Sequence, residues 1–512
     1  MINLKLFVKI ASVIFLLMYI LNQILGMCLY TSYYADSNLY KTVFRIRVVI
    51  GFLIIAYDLL NERYIFKSRH CVWLWIMLVM ETVSIISMHR YGLIDNVKIF
   101  IHHVEVMMVL YILSYRCTRD EEDFLIRFLY IILSVIFVPV YLYDIIRFLS
   151  LEHYIVNYRH YGWHEGRLFG IMSPMYAQTA YAVILLILTM YMLYKNKKLY
   201  HKLIYGFEII ILSLYIALSD TRSIFSGIII SLGYIVFALY RKRILQNKDL
   251  GSERKSGYIE KFKSVLIGIG IFSIALILIY ELRLGIRNGW YLLSDYFYNT
   301  TTVADDSQLN EVVNESDSYN ELRNESDNDN ELRNEGDNYN GLKKMRDYYD
   351  RPKDAPLSNG RVDIWKCYIK IILDNPRNLL LGLSPAGMRE YVWEKYPDCF
   401  IIEAYKLFYP ERYERKEIYG AHNALLYVLA STGIIGLIGI LGFIVRCAAD
   451  VLSNTYKGTA SDRDIVFAAI VICILTAIMF EQDVILGTSG ISCIFWFLAG
   501  ILMKEIDKKK FN

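Results

Sequence analysis

The stretch HNALLYVLASTGIIGLIGILGFIV, residues 422–445, carries no aspartate, glutamate, lysine or arginine. An apolar helix of about 20 residues crosses the hydrocarbon core of a membrane, which is about 30 Å thick, so this stretch predicts a membrane span. Similar runs recur along all 512 residues, of which 55% are hydrophobic and only 21% charged. That composition excludes an ordinary cytosolic enzyme. The runs are also too long and too evenly apolar for the alternating strands, about ten residues each, of a membrane β-barrel.

The apolar runs predict an all-α polytopic integral membrane protein with about twelve transmembrane helices. The first run is longer than the apolar core of a signal peptide and lacks a small-residue cleavage site, so we expect it to remain as a span. The predicted spans are residues 4–29, 43–60, 71–88, 97–115, 124–149, 168–194, 203–219, 222–240, 262–282, 422–445, 464–485 and 489–503.

Lysine and arginine are unevenly distributed between the connections. They are dense in alternate connections, as between Arg241 and Lys263, and sparse in the others, one of which contains Arg47. Because positively charged connections stay in the cytoplasm, we expect both termini there. The predicted division is residues 1–282 for transmembrane helices 1–9, residues 283–421 for one large extracytoplasmic loop between spans 9 and 10, and residues 422–512 for transmembrane helices 10–12.

The first part of this loop is a low-complexity insertion. Residues 305–345 contain an acidic decapeptide repeat, with blocks such as NELRNESDND at 320–329. Such a stretch buries too little apolar surface to offset its ordering entropy, so we expect it to be disordered. Calcium capture by its carboxylates is the alternative to the solvated spacer that we favour.

The second part of the loop, residues 358–400, is predicted to form ordered interfacial helices. Ser358 or Asn359 can cap a first helix, which the sequence DNP at 374–376 should end. A second short helix is expected over residues 388–396. We expect amphipathic helices at the outer membrane interface, with a small soluble subdomain as the alternative. The apolar positions that should share one face of the first helix are Trp365, Ile369, Ile372 and Leu373.

The eight cysteines are scattered, without CxxC pairs and without the spacing of a metal site. Only Cys367 and Cys399 lie well inside the loop. A disulfide between them is one option, and two free thiols are the other.

Three ionisable side chains stand where the chain meets the predicted outer membrane surface. Arg222 lies in the short hairpin LSDTRS (218–223), where it could snorkel, pair with Asp220 or bind a phosphate bidentately. Arg361 opens the predicted loop helix, which is an electrostatically unfavourable place for a cation. His422 stands where the loop re-enters the membrane, and an imidazole there is either structural or a general base.

Other polar residues within the spans have a simpler explanation. A charged side chain inside a bilayer costs at least about 2.5–3.5 kcal/mol, so we expect it to be paired. Hydrogen bonding between buried helices explains these residues more readily than catalysis does. They are Glu81, His102, His103 and Glu105, with Glu481 and Asp483 near an outer span end.

Four stretches on the predicted outer side form a series. They are His422-Asn423 followed by Gly433-Ile434-Ile435-Gly436; Gly360-Arg361 with Trp365, Asn375-Pro376, Gly382 and Gly387; the hairpin 218–227; and Gly166-Arg167-Leu168-Phe169-Gly170. In this order they resemble the motifs of the bacterial O-antigen polymerase and O-antigen ligase superfamily. The chain departs from that pattern at Ser431, where the family usually has Glu, at Met175, where Asn is common, and at Ser223, where Gly follows the arginine.

The resemblance implies a GT-C-like, metal-independent glycosyltransferase without a cofactor that acts on polyprenyl-diphosphate-linked glycans. It implies that Arg222 and Arg361 stabilise the leaving diphosphate, with Arg167 and Arg159 in support. His422 would take the proton from the attacking sugar hydroxyl, with inversion at the anomeric carbon. The further substrate-binding positions in the same motifs are Asn423 and Trp365.

The implied role is polymerisation of lipid-linked oligosaccharide repeat units into a cell-surface polysaccharide (O-antigen, capsule or exopolysaccharide) at the bacterial cytoplasmic membrane. Ligase-type transfer to a lipid core or protein acceptor is the first alternative. A flippase or other transporter is a different class, but transporters often show repeated halves, which this sequence does not; a non-catalytic assembly subunit is the remaining option. The expected partners are the polyprenyl-diphosphate-linked oligosaccharide, membrane lipid and a polysaccharide co-polymerase or chain-length regulator, with no nucleic acid.

Deletion of residues 305–345 tests the spacer interpretation of the repeat. Because the repeat is expected to be solvated rather than packed, the deletion should leave polysaccharide production within about twofold of the wild type. The product can be measured on gels of surface glycan at equal protein abundance. Loss of product in a normally inserted variant would show that the repeat has a function of its own.

Overall fold

The computed structural model describes residues 2–27, 37–150, 153–156, 159–164, 167–172, 175–219, 221–248, 361–408, 410–418, 420–477, 479, 481, 486–487 and 490–511. The predicted span 262–282, the acidic repeat 305–345 and the caps Ser358 and Asn359 lie outside the described residues. The predictions made for them therefore stay predictions.

The described residues are almost entirely helical. They begin with α1 (Ile2–Met27), α2 (Asn38–Tyr57), α3 (Tyr64–Lys67), α4 (Cys71–Ser87), α5 (Leu93–Val104), α6 (Leu110–Arg116), α7 (Arg119–Leu149), α8 (Met175–Lys195), α9 (Leu199–Ser219) and α10 (Arg222–Lys248). They continue with α11 (Arg361–Leu373), α12 (Pro376–Leu381), α13 (Gly387–Lys395), α14 (Phe400–Phe408), α15 (Pro410–Glu414), α16 (Ala424–Tyr456), α17 (Asp462–Ala477) and α18 (Gly490–Phe511). Short π-helical turns follow α2 at Asp58–Glu62 and α5 at Glu105–Val109.

Within the described part of the chain, six helical stretches are long and apolar enough to cross a membrane. The prediction of an all-α polytopic membrane protein is thereby confirmed, while the total of about twelve spans and the loop position stay predictions. The shorter apolar helices Ile10–Ile20 and Cys71–Ser87 also fall on predicted spans. The six stretches are Leu93–Arg116, Arg119–Leu149, Ala177–Lys195, Leu199–Ser219, Ile224–Leu245 and Ala424–Tyr456.

A three-stranded antiparallel sheet was not predicted from the sequence. Its strands β1 (His153–Val156), β2 (Arg159–His164) and β3 (Arg167–Phe169) lie in the order β1-β2-β3 between α7 and α8. Tyr161 and Leu168 are buried, and β3 packs against α7 and α9. The span expected from residue 168 therefore begins as a helix only at Met175, because the preceding apolar residues belong to the sheet.

Arg47 and Glu105 form a buried ion pair inside the bundle. Arg47 is buried in α2, and its Nη2 donates to Glu105 Oε2 at 2.8 Å. The placement of Arg47 in an outer connection is therefore wrong. Arg47 lies inside α2, and its ion pair with Glu105 offsets the cost of burying its charge. His103 Nδ1 lies 2.7 Å from Glu81 Oε1, so the expected hydrogen bonding between buried helices is confirmed for these residues.

The segment 361–421 has its own apolar core. It is built around Ile364, Tyr368 and Ile372 of α11 together with Val392 of α13. Ile369 and Leu373, which were predicted to share a face with Ile372, are instead 45% and 60% exposed. The helix thus has one packed apolar face and one exposed apolar face, and contact of the exposed face with the membrane interface stays a prediction.

The predicted boundaries inside this segment are confirmed. α11 ends at Leu373, and Asn375 caps α12, accepting a hydrogen bond from Arg377 N at 2.9 Å, with Pro376 as the first helical residue. The second short helix, expected over residues 388–396, is α13 (Gly387–Lys395). Cys367 and Cys399 are free thiols. The thiol of Cys399 donates to Cys367 and lowers the pKa of Cys367 to about 7.

A kink in α16 joins the segment 361–421 to the membrane bundle. Gly433 has φ +72° inside α16, which frees two carbonyl groups of the preceding turn. Leu383 N donates to Ala430 O at 2.7 Å, and Ser384 N donates to Ser431 O at 3.0 Å. A Cβ atom on Gly433 would lie 2.1 Å from Leu380 O, so only glycine permits this close approach of two backbones.

Replacement of Gly433 tests this junction. Gly433→Ala should lower the thermal unfolding midpoint of the purified protein markedly, because it combines a backbone clash with a strained φ that costs about 1–3 kcal/mol. The matched control is Gly206→Ala in α9, where a Cβ atom would meet nothing within 4 Å. Equal unfolding temperatures for the two variants would contradict the close approach.

Candidate functional site

One carboxylate links the loop segment to the predicted outer end of the bundle. Arg361 is the first residue of α11, and its Nη2 donates to Glu481 Oε1 at 3.1 Å. Glu481 follows α17, its backbone N–H donating to Ala477 O at 3.0 Å. The carboxylate is 10% exposed and the guanidinium side chain 30% exposed. The pair therefore lies at the border between the packed protein and an open space, where one face of the guanidinium can meet a ligand.

His422 lies on the other side of the same carboxylate. Its Nδ1 is 3.8 Å from Glu481 Oε2, and its side chain is 38% exposed. Its backbone has φ +46°, which is rare for a residue with a side chain and often marks a functional position. Glu481 thus brings Arg361 and His422 together, as the sequence predicted for these two residues. Nε2 of His422 lies on the side of the ring away from Nδ1.

Asn423 and Trp365 fix the position of His422. Asn423 caps α16, its Oδ1 accepting from Leu426 N at 2.9 Å, and its Nδ2 donates to Met479 O at 3.1 Å. Trp365 Nε1 donates to Ala421 O at 2.9 Å. Each side chain thus holds the backbone beside the site, and the substrate-binding role predicted for both remains a prediction.

Arg222 begins α10, and its side chain lies outside the described part of the structure. The register of α10 against α17 locates its backbone. Ser231 Oγ donates to Ala469 O at 2.8 Å, and a Cβ atom on Gly227 would lie 2.8 Å from Cys473 O. The two helices therefore run antiparallel: four residues along α10 towards Arg222 correspond to four residues along α17 towards its C-terminal end. Arg222 begins its helix at the end where α17 leads to Glu481, and its predicted convergence with Arg361 and His422 stays a prediction.

Arg159 and Arg167 lie in neighbouring strands of the sheet, where Arg167 pairs with His164 and Arg159 with Val156. Their side chains also lie outside the described part. The backbone after β3 is attached to the bundle, since Ile171 N donates to Asp144 Oδ1 at 3.2 Å. The sheet is thus fixed at the ends of α7 and α8, and the roles predicted for both arginines remain predictions.

Sequence reasoning gave Glu481 no special weight, because an acidic residue near a span end is commonly explained by pairing between helices. The available signal was weak: a carboxylate in the apolar run around residues 464–485 has to find a cation. Its two partners come from segments 59 and 120 positions earlier in the chain, and only folding brings them together. Asp483, named with it, lies outside the described residues.

The arrangement can do two kinds of chemistry. A guanidinium held from one side by a carboxylate can bind an oxyanion on its other side. An imidazole beside this carboxylate, with Nε2 on the far side of the ring, can accept a proton from a bound hydroxyl. Among the described residues, no three His, Cys, Asp or Glu side chains form a group that could hold a metal ion.

The fold and this site define a polytopic helical membrane protein in which a cation, a carboxylate and an imidazole meet beside the ends of α11, α16 and α17. The family model described as O-antigen ligase matches residues 207–441, a region that contains both Arg361 and His422. The resemblance to the bacterial O-antigen ligase and polymerase superfamily that the sequence indicated is thereby confirmed over these residues. No curated protein and no solved structure matched the chain.

Proposed function

We propose that this protein polymerises polyprenyl-diphosphate-linked oligosaccharide repeat units into a cell-surface polysaccharide. The observation that carries the proposal is the bridge from Glu481 to both Arg361 and His422, inside or next to the region that matches the family. The family supports O-antigen ligase or polymerase activity in general. The choice of polymerase, the extracytoplasmic side and independence from a metal are parts of the proposal.

The reaction requires a base for the acceptor and stabilisation for the leaving group. A hydroxyl of the acceptor sugar attacks the anomeric carbon of the donor, forming a glycosidic C–O bond, while the bond from that carbon to the diphosphate oxygen breaks. The bonding electrons leave with the diphosphate, and the proton passes from the acceptor hydroxyl to His422 Nε2. Attack opposite the leaving group inverts the anomeric configuration.

The arginines would stabilise the diphosphate as its charge develops. Fixed guanidinium groups do this without reorganisation, which makes them effective in a site partly closed to water. Glu481 neutralises part of the charge of Arg361 before the substrate binds. A leaving diphosphate therefore needs further cations, and Arg222, with Arg167 and Arg159 in support, would supply them.

Glu481 would act as a positioning residue and not as a base. Its two oxygens face different partners, Oε1 the Arg361 guanidinium and Oε2 the imidazole of His422. It would thus hold the cation and the base at a fixed separation and orient the imidazole so that Nε2 meets the acceptor hydroxyl.

Ligase-type transfer to a lipid core or a protein acceptor is the second candidate, and the match to a family described as O-antigen ligase favours it. Both reactions use the same donor and the same site and differ in the acceptor. The products separate them. A polymerase-deficient strain accumulates single repeat units on the lipid carrier or the surface, whereas a ligase-deficient strain accumulates long chains on the lipid carrier.

Removal of the base or the cation should abolish polymer formation. His422→Ala and Arg361→Ala should each lower the transfer rate by about 10²-fold or more, because general-base catalysis and leaving-group stabilisation are each worth that much. The measurement is glycan length on gels and transfer rate in isolated membranes at equal protein abundance. Lys370→Ala, an exposed cation on the same helix, is the control and should behave as wild type. Normal chain length in both site variants would overturn the enzyme assignment.

The positioning role of Glu481 predicts a split between two kinetic constants. Glu481→Gln should lower kcat about tenfold or more with little change in the KM of the lipid-linked donor, because losing the orienting carboxylate can cost up to about 10⁴-fold in Ser-His-Asp enzymes. Glu481→Asp keeps the charge and should recover part of kcat. A purely structural role would instead lower protein abundance and unfolding temperature in Glu481→Gln while sparing kcat.

A further inference from the structure

A polar cavity of about 540 Å³ lies between the α4–α5 turn and the segment 361–421. One wall is the turn of residues 87–91, and the other is formed by the start of α12 and the last turn of α13. Its volume is in the range of small-molecule sites, about 300–1,000 Å³. It shares no residue with the site around Glu481.

The cavity combines aromatic rings with amide groups. The rings of Tyr91 and Tyr391 are 5.7 Å apart and perpendicular to each other. The hydroxyl of Tyr391 accepts a hydrogen bond from Asn378 Nδ2 at 3.3 Å, and Asn375 lines the cavity beside it. A tyrosine presents an apolar face together with a polar tip. That combination suits a sugar ring, which has C–H groups on its faces and hydroxyls around its edge.

The charge of the cavity is positive. Arg90, Arg377 and Lys395 line it with a single carboxylate, Glu394. Lys395 is 2.7 Å from Glu394 Oε1, and hydrogen bonds from Lys395 and Tyr91 lower the pKa of Glu394. The carboxylate is therefore already engaged within the protein.

Two guanidinium groups remain for a ligand. Arg377 donates through Nη2 to the carbonyl of Ser87, which holds its side chain across the cavity. Arg90 lies on the opposite wall, where its charge also helps to lower the pKa of Glu394. Both side chains are exposed, so an anion can reach them without displacing packed groups.

The cavity and the site around Glu481 lie at opposite ends of one helix. Arg361 is the first residue of α11, and Asn375 lies two residues past its end. At about 1.5 Å per residue the two ends are about 20 Å apart. Each includes residues of the segment 361–421, which the kink in α16 attaches to the bundle. An oligosaccharide of several sugars that reacts near His422 can therefore reach the cavity.

We propose that this cavity is a subsite for an anionic oligosaccharide, the part of the glycan that lies beyond the reacting sugar. The inference rests on the proposed function for its physiological meaning. The ligand class itself follows from the tyrosine rings, the amide groups and the surplus of guanidinium groups.

Direct binding to the full chain in nanodiscs tests the ligand class without requiring transfer activity. The probes are trigalacturonate, which is acidic, maltotriose, which is neutral and of the same length, and inorganic phosphate, each titrated by calorimetry. Trigalacturonate should bind more tightly than the other two. Arg377→Gln and Arg90→Gln should each weaken its binding at least about threefold, as expected for exposed charge contacts. Arg389→Gln, an exposed arginine of α13 outside the cavity, should bind as wild type.

Each other outcome overturns the assignment. Phosphate binding as tightly as trigalacturonate would make this a phosphate site, such as one for a lipid headgroup, and not a carbohydrate site. Equal binding of maltotriose would remove the charge requirement, and absence of trigalacturonate binding, or unchanged binding in both arginine variants, would remove the site. His422→Ala should bind trigalacturonate as wild type does. The two proposals can therefore be tested separately. Trigalacturonate binding can be absent although transfer depends on His422, and transfer can be unaffected by His422→Ala although the cavity binds trigalacturonate.

Discussion

The close backbone approach at the kink of α16 is the constraint on which the site depends. A membrane helix normally satisfies all of its carbonyl groups internally, because hydrocarbon offers no partner. The kink at Gly433 leaves the carbonyls of Ala430 and Ser431 without partners in the helix. The backbone N–H groups of Leu383 and Ser384 in the segment 361–421 donate hydrogen bonds to them. Ser84 Oγ also donates to Ser431 O at 2.7 Å. The loop segment is therefore attached to α16 by main-chain groups, whose positions do not depend on flexible side chains. Ser384 N also donates to the Ser84 hydroxyl of α4 at 2.8 Å.

This attachment explains why Ser431 can stand where the family usually has glutamate. In this chain the backbone of Ser431, and not its side chain, makes the contacts to Ser84 and Ser384. The carboxylate of the site comes from another element, Glu481 after α17, and it contacts both the cation and the imidazole. Such a buried carboxylate contributes little to the free energy of unfolding, because its desolvation offsets much of its attraction to its partners. Its main effect is to hold the two partners in a fixed geometry.

Sequence reasoning predicted the features that a membrane imposes locally and missed those that depend on distant partners. Long apolar runs gave the helices because the hydrocarbon core sets their length. Arg47 was placed outside because a count of basic residues does not reveal its ion pair with Glu105, 58 positions later. The sheet at 153–169 was missed because its third strand continues into the apolar run of α8. Arg361 and His422 carried motif signals, whereas Glu481 became a candidate only through its contacts.

The charge around the site limits what the described residues can do alone. Arg361 and Glu481 cancel formally, so this ion pair offers no net positive charge to a diphosphate. A diphosphate gains little from this pair, because the carboxylate repels it nearly as much as the guanidinium attracts it. The further cations must come from the elements that end nearby, and the register of α10 brings the backbone of Arg222 to that end. We therefore expect the charge of Arg222 to decide whether the bridge at Glu481 serves a phosphorylated substrate.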